Sequence, residues 1–202
     1  RNHATTAPLY GQATSPIVDG GRVIVHVGGH DDGALLALKL EDGTRAWQWD
    51  EDGPAYASPI LVTVAGTRQL ITQSQKFIVG LDPATGRVLW KIPFKTQFDQ
   101  NSVTPVGFDG RVIFGGYNEP TVAFRLLLKQ GRFQARKDWS NREIAMYMSS
   151  PVLANGRLYG LTQRRRGQLF CGNPVNGKSH WGGPGRLSDN AALIVAGQVL
   201  LV

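Results

Sequence analysis

The residues that could carry out chemistry are few in this sequence, and their spacing assembles no reactive centre. Acidic residues occur in short groups that glycine follows, at Asp31-Asp32, Glu41-Asp42 and Asp50–Asp52. Carboxylates in such settings usually stabilise turns and face solvent. The group at 50–52 could offer oxygen ligands to a hard cation, but no further ligand spacing supports such a site. The acids therefore predict turns.

Histidine, cysteine and serine give no stronger signal. The four histidines, at positions 3, 26, 30 and 180, lack metal-ligand spacing. Cys171 is the one cysteine, so no intrachain disulfide forms, and its apolar neighbours predict a buried, inert thiol. The serines that precede apolar runs have no identifiable base, and no glycine cluster has the context of a phosphate loop. The sequence predicts no catalytic residue and no metal ligand.

Charge is distributed unevenly along the 202 residues, whose net charge is +7. Residues 1–101 carry 9 basic and 10 acidic side chains, and residues 102–202 carry 13 and 5. The basic residues are mostly scattered and do not alternate with aromatics, which argues against a nucleic-acid partner. No apolar run reaches the roughly 18 residues of a membrane helix. Since the sequence starts at Arg1, a targeting segment or lipid anchor ahead of it stays open.

An internal repeat organises the whole sequence. Ser-Pro or Thr-Pro pairs that open apolar runs recur every 43 to 46 residues, at Pro16, Pro59, Pro105 and Pro151. Tryptophans recur every 42 to 49 residues, at Trp47, Trp90, Trp139 and Trp181. Two independent markers with a common period indicate a repeat architecture.

Each repeat contains short runs rich in Val, Ile and Leu that glycine-containing turns separate, which is typical of four short strands. A four-stranded unit of about 40–50 residues is a propeller blade. The sequence therefore predicts an all-β protein, a β-propeller of four-stranded antiparallel blades. The predicted blades span residues 12–53, 54–98, 99–143 and 144–187, with the start of a fifth at 188–202.

The best copy of the turn that precedes tryptophan runs from Gly80 to Trp90 as Gly-Leu-Asp-Pro-Ala-Thr-Gly-Arg-Val-Leu-Trp. It resembles the tryptophan-docking motif of the pyrroloquinoline-quinone (PQQ)-like repeat family, Ala-x-Asp-x-x-Thr-Gly-Lys-x-x-Trp, and differs at Gly80 and Arg87. The copies before Trp47 and Trp181 are partial, and the third repeat keeps Trp139 without the turn signature. The signatures of WD and kelch repeats do not recur.

The resemblance implies that each tryptophan packs on the neighbouring blade while the Asp and Thr side chains bond the turn. The residues expected to serve this docking are Trp47, Asp82, Thr85, Gly86, Trp90, Trp139, Gly177 and Trp181. Propellers of this family close with seven or eight blades, so we expect these blades to be part of a larger ring. The resemblance also implies a bacterial protein in the periplasm or otherwise outside the cytoplasm.

Two loop regions are candidate binding surfaces. Residues three or four positions before the repeated proline are expected to line one rim of the propeller and to contact a protein partner or small ligand. They are Gln12, Tyr56, Asn101 and Tyr147, with Asn190 as the equivalent in the fifth repeat. Arg164, Arg165 and Arg166 are expected at a hairpin tip, where they could meet an anionic partner. Plain solvation of these loops remains the alternative.

Three functions stay open at this point. The first is a non-catalytic propeller that acts as a binding or protein-interaction scaffold outside the cytoplasm. The second is a PQQ-dependent dehydrogenase, which the resemblance implies would need PQQ, Ca²⁺ and often a vicinal cysteine pair, with active-site residues outside this segment. The third is the sensor propeller of a signalling protein. No cofactor is evident from the residues themselves.

Overall fold

The computed structural model describes residues 7–202, and these residues form almost only β-strands and turns. His3 lies outside the described residues. The strands are 3 to 10 residues long, because short runs rich in Val, Ile and Leu are separated by turns, many of which contain glycine. The predicted all-β class is confirmed.

The first two sheets are antiparallel, and each has its four strands in sequence order. The first contains β1 (Ile17–Asp19), β2 (Arg22–Gly29), β3 (Asp32–Lys39) and β4 (Arg45–Trp49). The second contains β5 (Ile60–Val64), β6 (Thr67–Gln73), β7 (Phe77–Leu81) and β8 (Val88–Pro93).

The next two sheets repeat this order. The third contains β9 (Val106–Phe108), β10 (Arg111–Phe114), β11 (Thr121–Lys129) and β12 (Arg132–Asn141). The fourth contains β13 (Val152–Ala154), β14 (Arg157–Thr162), β15 (Gln168–Gly172) and β16 (Ser179–Gly182). A two-stranded ladder, β17 (Ile194–Ala196) with β18 (Val199–Leu201), follows. Single turns of 3-10 helix lie at Gln97–Asp99 and Arg164–Arg166.

The described chain divides into two compact units. The first unit extends to Asn101 and includes Leu128–Gln134, while the second comprises Ser102–Leu127 and Ala135–Val202. Each unit has its own buried apolar cluster. Ile24, Leu35 and Leu70 are fully buried in the first cluster, and Ile113 and Leu158 are fully buried in the second. This division into two units does not test the blade boundaries, which stay a prediction from the sequence.

No helix in the described part of the chain is long and apolar enough to cross a membrane. The buried thiol predicted at Cys171 is confirmed, because the side chain is fully buried in β15. Asp52 corrects the interpretation of the acidic groups as solvated turns. Its side chain is only 5% exposed, because it accepts hydrogen bonds from Ser74 Oγ at 2.6 Å and from the Lys76 amide at 2.7 Å.

Candidate functional site

The tryptophans dock through a repeated contact between consecutive sheets inside each unit. Trp47 Nε1 donates to the carbonyl of Pro83 at 3.0 Å in the first unit. Trp139 Nε1 donates to the carbonyl of Pro174 at 3.0 Å in the second. Both indoles are buried, so each satisfies its single donor while it covers a large apolar area.

Glycine makes this contact fit. Gly86 and Gly177 have positive φ angles of 73° and 71°, and a Cβ atom on either would lie within about 2.5 Å of a docked indole ring. The Asp82 side chain accepts from the Ala84 amide at 2.8 Å, and Thr85 Oγ1 accepts from the Arg87 amide at 3.3 Å. The turn therefore exposes its Gly–Cα face to the neighbouring tryptophan.

The residue opposite three of the four repeated tryptophans, within their own sheets, is small. Trp47 pairs with Ala37, Trp90 with Gly80 and Trp181 with Cys171. A strand irregularity follows directly after each small partner. The small side chain gives the indole room to lie across the sheet, which is the physical reason for Ala, Gly or Cys at this point of the repeat.

Trp90 and Trp181 differ from the two docked tryptophans. Trp90 is buried, but its Nε1 donates to Gln69 Oε1 of its own sheet at 2.7 Å. The hairpin of the third sheet turns tightly at Gln130-Gly131 and lacks the Asp-Thr-Gly signature. Trp181 is 45% exposed and packs against Tyr159, with a ring-centroid distance of 6.3 Å. The docking role assigned to Trp181 stays a prediction.

Serines of the repeated Ser-Pro and Thr-Pro segments tie consecutive repeats together. Ser58 Oγ accepts from the Ser15 amide at 3.0 Å in the first unit, and Ser150 Oγ accepts from the Thr104 amide at 2.9 Å in the second. These hydroxyl groups anchor the starts of the first strands, so their role is structural.

A buried turn organises the loops at one end of the first unit, where the second and fourth strands of each sheet end. We call this region the loop end. Its centre is the Ser74–Lys76 turn between β6 and β7, in which Gln75 is only 1% exposed. Gln75 Oε1 accepts from the Asp31 amide at 2.8 Å, and its Nε2 donates to Asp99 Oδ2 at 3.3 Å. One side chain therefore joins two loops.

Asn101 completes this network. It is fully buried, and its Nδ2 donates to the carbonyls of Ser74, Gln75 and Phe94 at 2.8 to 3.1 Å. The amide of Gln75 donates in turn to the carbonyl of Gly53 at 3.0 Å. Hydrogen bonds from Gln75 and Asn101 therefore fix the backbone of several loops to one another at the loop end.

An aromatic and ionisable group lies on this scaffold. The rings of Tyr10 and Tyr56 are 5.8 Å apart, and those of His30 and Tyr56 are 5.9 Å apart and nearly perpendicular. The amide of Tyr10 donates to Tyr56 Oη at 3.2 Å. His30 Nδ1 lies 3.8 Å from Asp99 Oδ2. We call Tyr10, His30, Tyr56 and Asp99 the aromatic cluster.

Charged side chains of this region lie in close pairs. Burial raises the pKa of Tyr56, so its phenol stays protonated at neutral pH. Lys76 bonds the Asp31 carboxylate, which lowers the pKa of Asp31 and raises that of Lys76. Lys95 lies 3.1 Å from Asp99. The aromatic cluster thus offers hydrogen-bonding groups and ring faces beside paired charges.

The five predicted rim residues fall in different environments. Gln12 is exposed and bonds the carbonyl of Gly28, Tyr56 belongs to the aromatic cluster, and Asn101 is buried. Tyr147, in the second unit, packs against Tyr117 with ring centroids 4.8 Å apart, and Asn190 is exposed in the same unit. The expectation that Asn101 lies on the rim is wrong. The side chain is buried, so it cannot contact a partner, and it instead holds the loops by hydrogen bonds.

The sequence analysis did not identify Gln75, Asp99 or Tyr10. Gln75 lies in a polar stretch between two apolar runs, which is typical of a solvated turn. Its burial results from contacts with loops that are distant in sequence. Residues 97–99 form a short 3-10 turn with positive φ at Phe98 and Asp99, which no sequence signal announced.

The arginine segment Arg164–Arg166 forms a single 3-10 turn between β14 and β15 of the second unit, as expected of a hairpin tip, and all three side chains are exposed. Arg164 and Arg165 line a cavity of about 310 Å³ together with Ile144 and Phe170. Whether an anionic partner binds there stays a prediction.

The described residues contain no group of three or more His, Cys, Asp or Glu side chains that could hold a metal ion. His30 and Asp99 place an imidazole beside a carboxylate within the aromatic cluster. Ring faces and hydrogen-bonding groups of this kind can contact a ligand or a protein surface.

The chain repeats a four-stranded antiparallel sheet, and tryptophans dock on the turn of the following sheet. These two features define a β-propeller of PQQ-like repeats. The chain belongs to the family described as outer membrane protein assembly factor BamB, whose model matches residues 4–182. No curated protein matches the sequence.

Solved structures support the same fold. BamB from Moraxella catarrhalis superposes with a TM-score of 0.61 at 17% identity, covering 86% of this chain and 52% of its own. Quinohemoprotein alcohol dehydrogenase from Comamonas testosteroni gives 0.60 at 15% identity, covering 96% of this chain and 38% of its own. The computationally designed Ika8 protein gives 0.64 at 13% identity, covering 94% and 54%. The chain thus spans about half of the BamB structure. The predicted propeller class is confirmed.

Proposed function

We propose that this protein is a non-catalytic propeller scaffold that binds a protein partner or a small ligand outside the cytoplasm. The single observation that carries the proposal is the buried Gln75 network beneath the aromatic cluster. Recognition loops need a rigid support, because ordering a loop upon binding costs conformational entropy. Tyr10 and Tyr56 supply ring faces and hydroxyl groups on such a support.

Family membership supports the location. The family is described as an outer membrane protein assembly factor, and a position outside the cytoplasm fits that description. The loop end would then act as the contact surface, in keeping with the tendency of propellers to carry function on loops.

Site-specific photo-crosslinking in the native host tests this proposal. A benzophenone amino acid replaces Tyr56 at the loop end, and the matched control replaces Leu40, which is 55% exposed in the turn at the opposite end of the first sheet. We expect a discrete crosslinked adduct from position 56 and none from position 40. Equal labelling from both positions, or no adduct from either, contradicts a binding role for the loop end.

The dehydrogenase alternative has a separate test. Addition of PQQ and Ca²⁺ to the purified protein should leave the melting temperature unchanged, because a ligand raises it only by binding the native state. A saturable increase in melting temperature together with dye-linked alcohol oxidation would replace the scaffold by a quinoprotein enzyme.

A further inference from the structure

Four arginines of the second unit come together on two segments that are distant in sequence. Arg165, Arg166 and Arg186 line one depression of about 420 Å³. Arg164 and Arg165 line the adjoining one of about 310 Å³. Arg165 lines both depressions, which we together call the arginine cleft.

Main-chain hydrogen bonds hold the two segments against each other. The Arg186 amide donates to the carbonyl of Arg165 at 2.9 Å, and the Leu187 amide donates to the carbonyl of Gly167 at 3.1 Å. A Cβ atom on Gly167 would lie only 1.7 Å from the carbonyl oxygen of Ser188. The backbone beneath the guanidinium groups is therefore closely packed, so the charges are placed together by the fold.

These guanidinium groups lack acidic partners. Within residues 7–202, Arg68 pairs with Asp19 and Arg111 pairs with Asp109 and Asp138, but the four cleft arginines form no ion pair. Glu143 is the acidic residue that lines the cleft, and it leaves the local charge strongly positive. Like charges held together without counter-charges cost free energy, which an anionic ligand would offset.

The shape and the walls of the cleft favour an extended acidic peptide over a flat membrane surface. The cleft is concave, and its floor lies over the side chains of Ile144 and Phe170, which are only 1% and 2% exposed. Ser179 and Gly182 of β16 also line it, and β16 pairs with β15 alone in the described chain. A free strand edge offers main-chain groups to an added strand, and guanidinium groups bind carboxylates in bidentate pairs.

We propose that the arginine cleft binds an extended peptide segment of a protein partner through its Asp and Glu carboxylates. This site lies in the second unit and involves none of the residues of the aromatic cluster. The inference thus goes beyond the proposed function and names the partner chemistry of a second surface.

Fluorescence anisotropy with labelled hexaglutamate tests the cleft, with labelled hexaglutamine as the uncharged probe. The main variant combines Arg164→Gln, Arg165→Asn and Arg166→Asn, since asparagine tolerates the positive φ of positions 165 and 166. The matched control combines Lys129→Gln, Arg136→Gln and Lys137→Gln, which removes the same charge from exposed strand positions. Arg186→Asn is a second, independent variant should the triple variant fold poorly.

We expect hexaglutamate to bind more weakly as salt rises, and the main variant to lose at least about tenfold in affinity, the loss of roughly one charged pair. Arg186→Asn should weaken binding as well, whereas the control triple variant and a Tyr56→Ala variant should retain it. Retention by Tyr56→Ala separates this site from the aromatic cluster.

Four outcomes would overturn the inference. The first two are that hexaglutamate does not bind and that the control variant loses as much affinity as the main variant. The third is that inorganic phosphate, at the same total charge, displaces hexaglutamate completely. The fourth is that phosphatidylglycerol vesicles bind through the arginines while the peptide does not. The last two would assign the arginines to simple anions or to a membrane.

Discussion

Residues at equivalent positions of the repeat differ in how deeply the fold buries them. Asn101 and Asn190 hold corresponding positions before the repeated apolar run, and both were expected at a rim. Asn101 is fully buried and bonds three carbonyls, whereas Asn190 is exposed and its main-chain amide and carbonyl bond the Ser188 hydroxyl. The same residue type thus acts as a support in one repeat and as a surface group in another.

Asn101→Ala should lower the free energy of unfolding by about 2–4 kcal/mol, because it leaves buried carbonyls without donors. Asn190→Ala should change it by less than about 0.5 kcal/mol, as is usual for exposed positions. Urea unfolding of both variants measures the difference. Similar values for the two would show that the buried network contributes little.

His26 gives the first unit a pH dependence. Burial lowers its pKa from 6.5 to about 4, and the ring bonds Thr72 Oγ1 at 3.1 Å. Since the unfolded state binds the proton more tightly, stability is highest above pH 6.5 and falls as the pH drops toward 4. The lowered pKa values of Asp31 and Asp42 contribute stability above their ordinary 3.8, and this contribution is lost only as the pH falls below that value.

Between pH 7 and pH 5 this one group should cost the folded state about 2 kcal/mol. His26→Gln keeps a hydrogen-bonding side chain without titrating in this range and should flatten the pH profile, while His180→Gln at an exposed position should not. Denaturant unfolding at several pH values measures the slope. An unchanged slope in His26→Gln would assign the pH dependence to other groups.

At the scale of the element, the docking turn is the unit that joins one sheet to the next. Gly43 and Gly86 occupy corresponding turns with φ angles of 71° and 73°. A Cβ atom on Gly43 would meet nothing within 4 Å, whereas one on Gly86 would lie 2.5 Å from the Trp47 ring. The pair separates backbone strain from the contact with tryptophan.

Gly43→Ala should destabilise the protein by about 1–2 kcal/mol through the left-handed backbone alone. Gly86→Ala should lower the free energy of unfolding by about 1–3 kcal/mol more than Gly43→Ala, because the added methyl group displaces the Trp47 indole. Thermal or denaturant unfolding of the two variants gives the comparison. Equal destabilisation would mean that the tryptophan moves aside without loss.

At the scale of the whole molecule, each compact unit carries one candidate surface of its own. The first unit presents the aromatic cluster above a buried polar network, with its ionic groups paired. The second unit presents unpaired arginines in a cleft, in the half of the sequence that carries most of the positive charge. Two surfaces of different chemistry suit a scaffold that contacts more than one partner or one partner at two places, as we propose for this protein.

The sequence by itself determined the repeat, the strand content and the propeller class. Period, apolar alternation and turn residues are local, so Gly86 and Trp90 identify the repeat without knowledge of distant contacts. The tertiary structure alone decided which polar residues are buried and which are exposed. Gln75, Asp52 and Asn101 look like loop residues in sequence, and they became a network because three loops converge on one turn. Likewise, Arg186 joined the arginine turn through long-range main-chain bonds that no local pattern encodes.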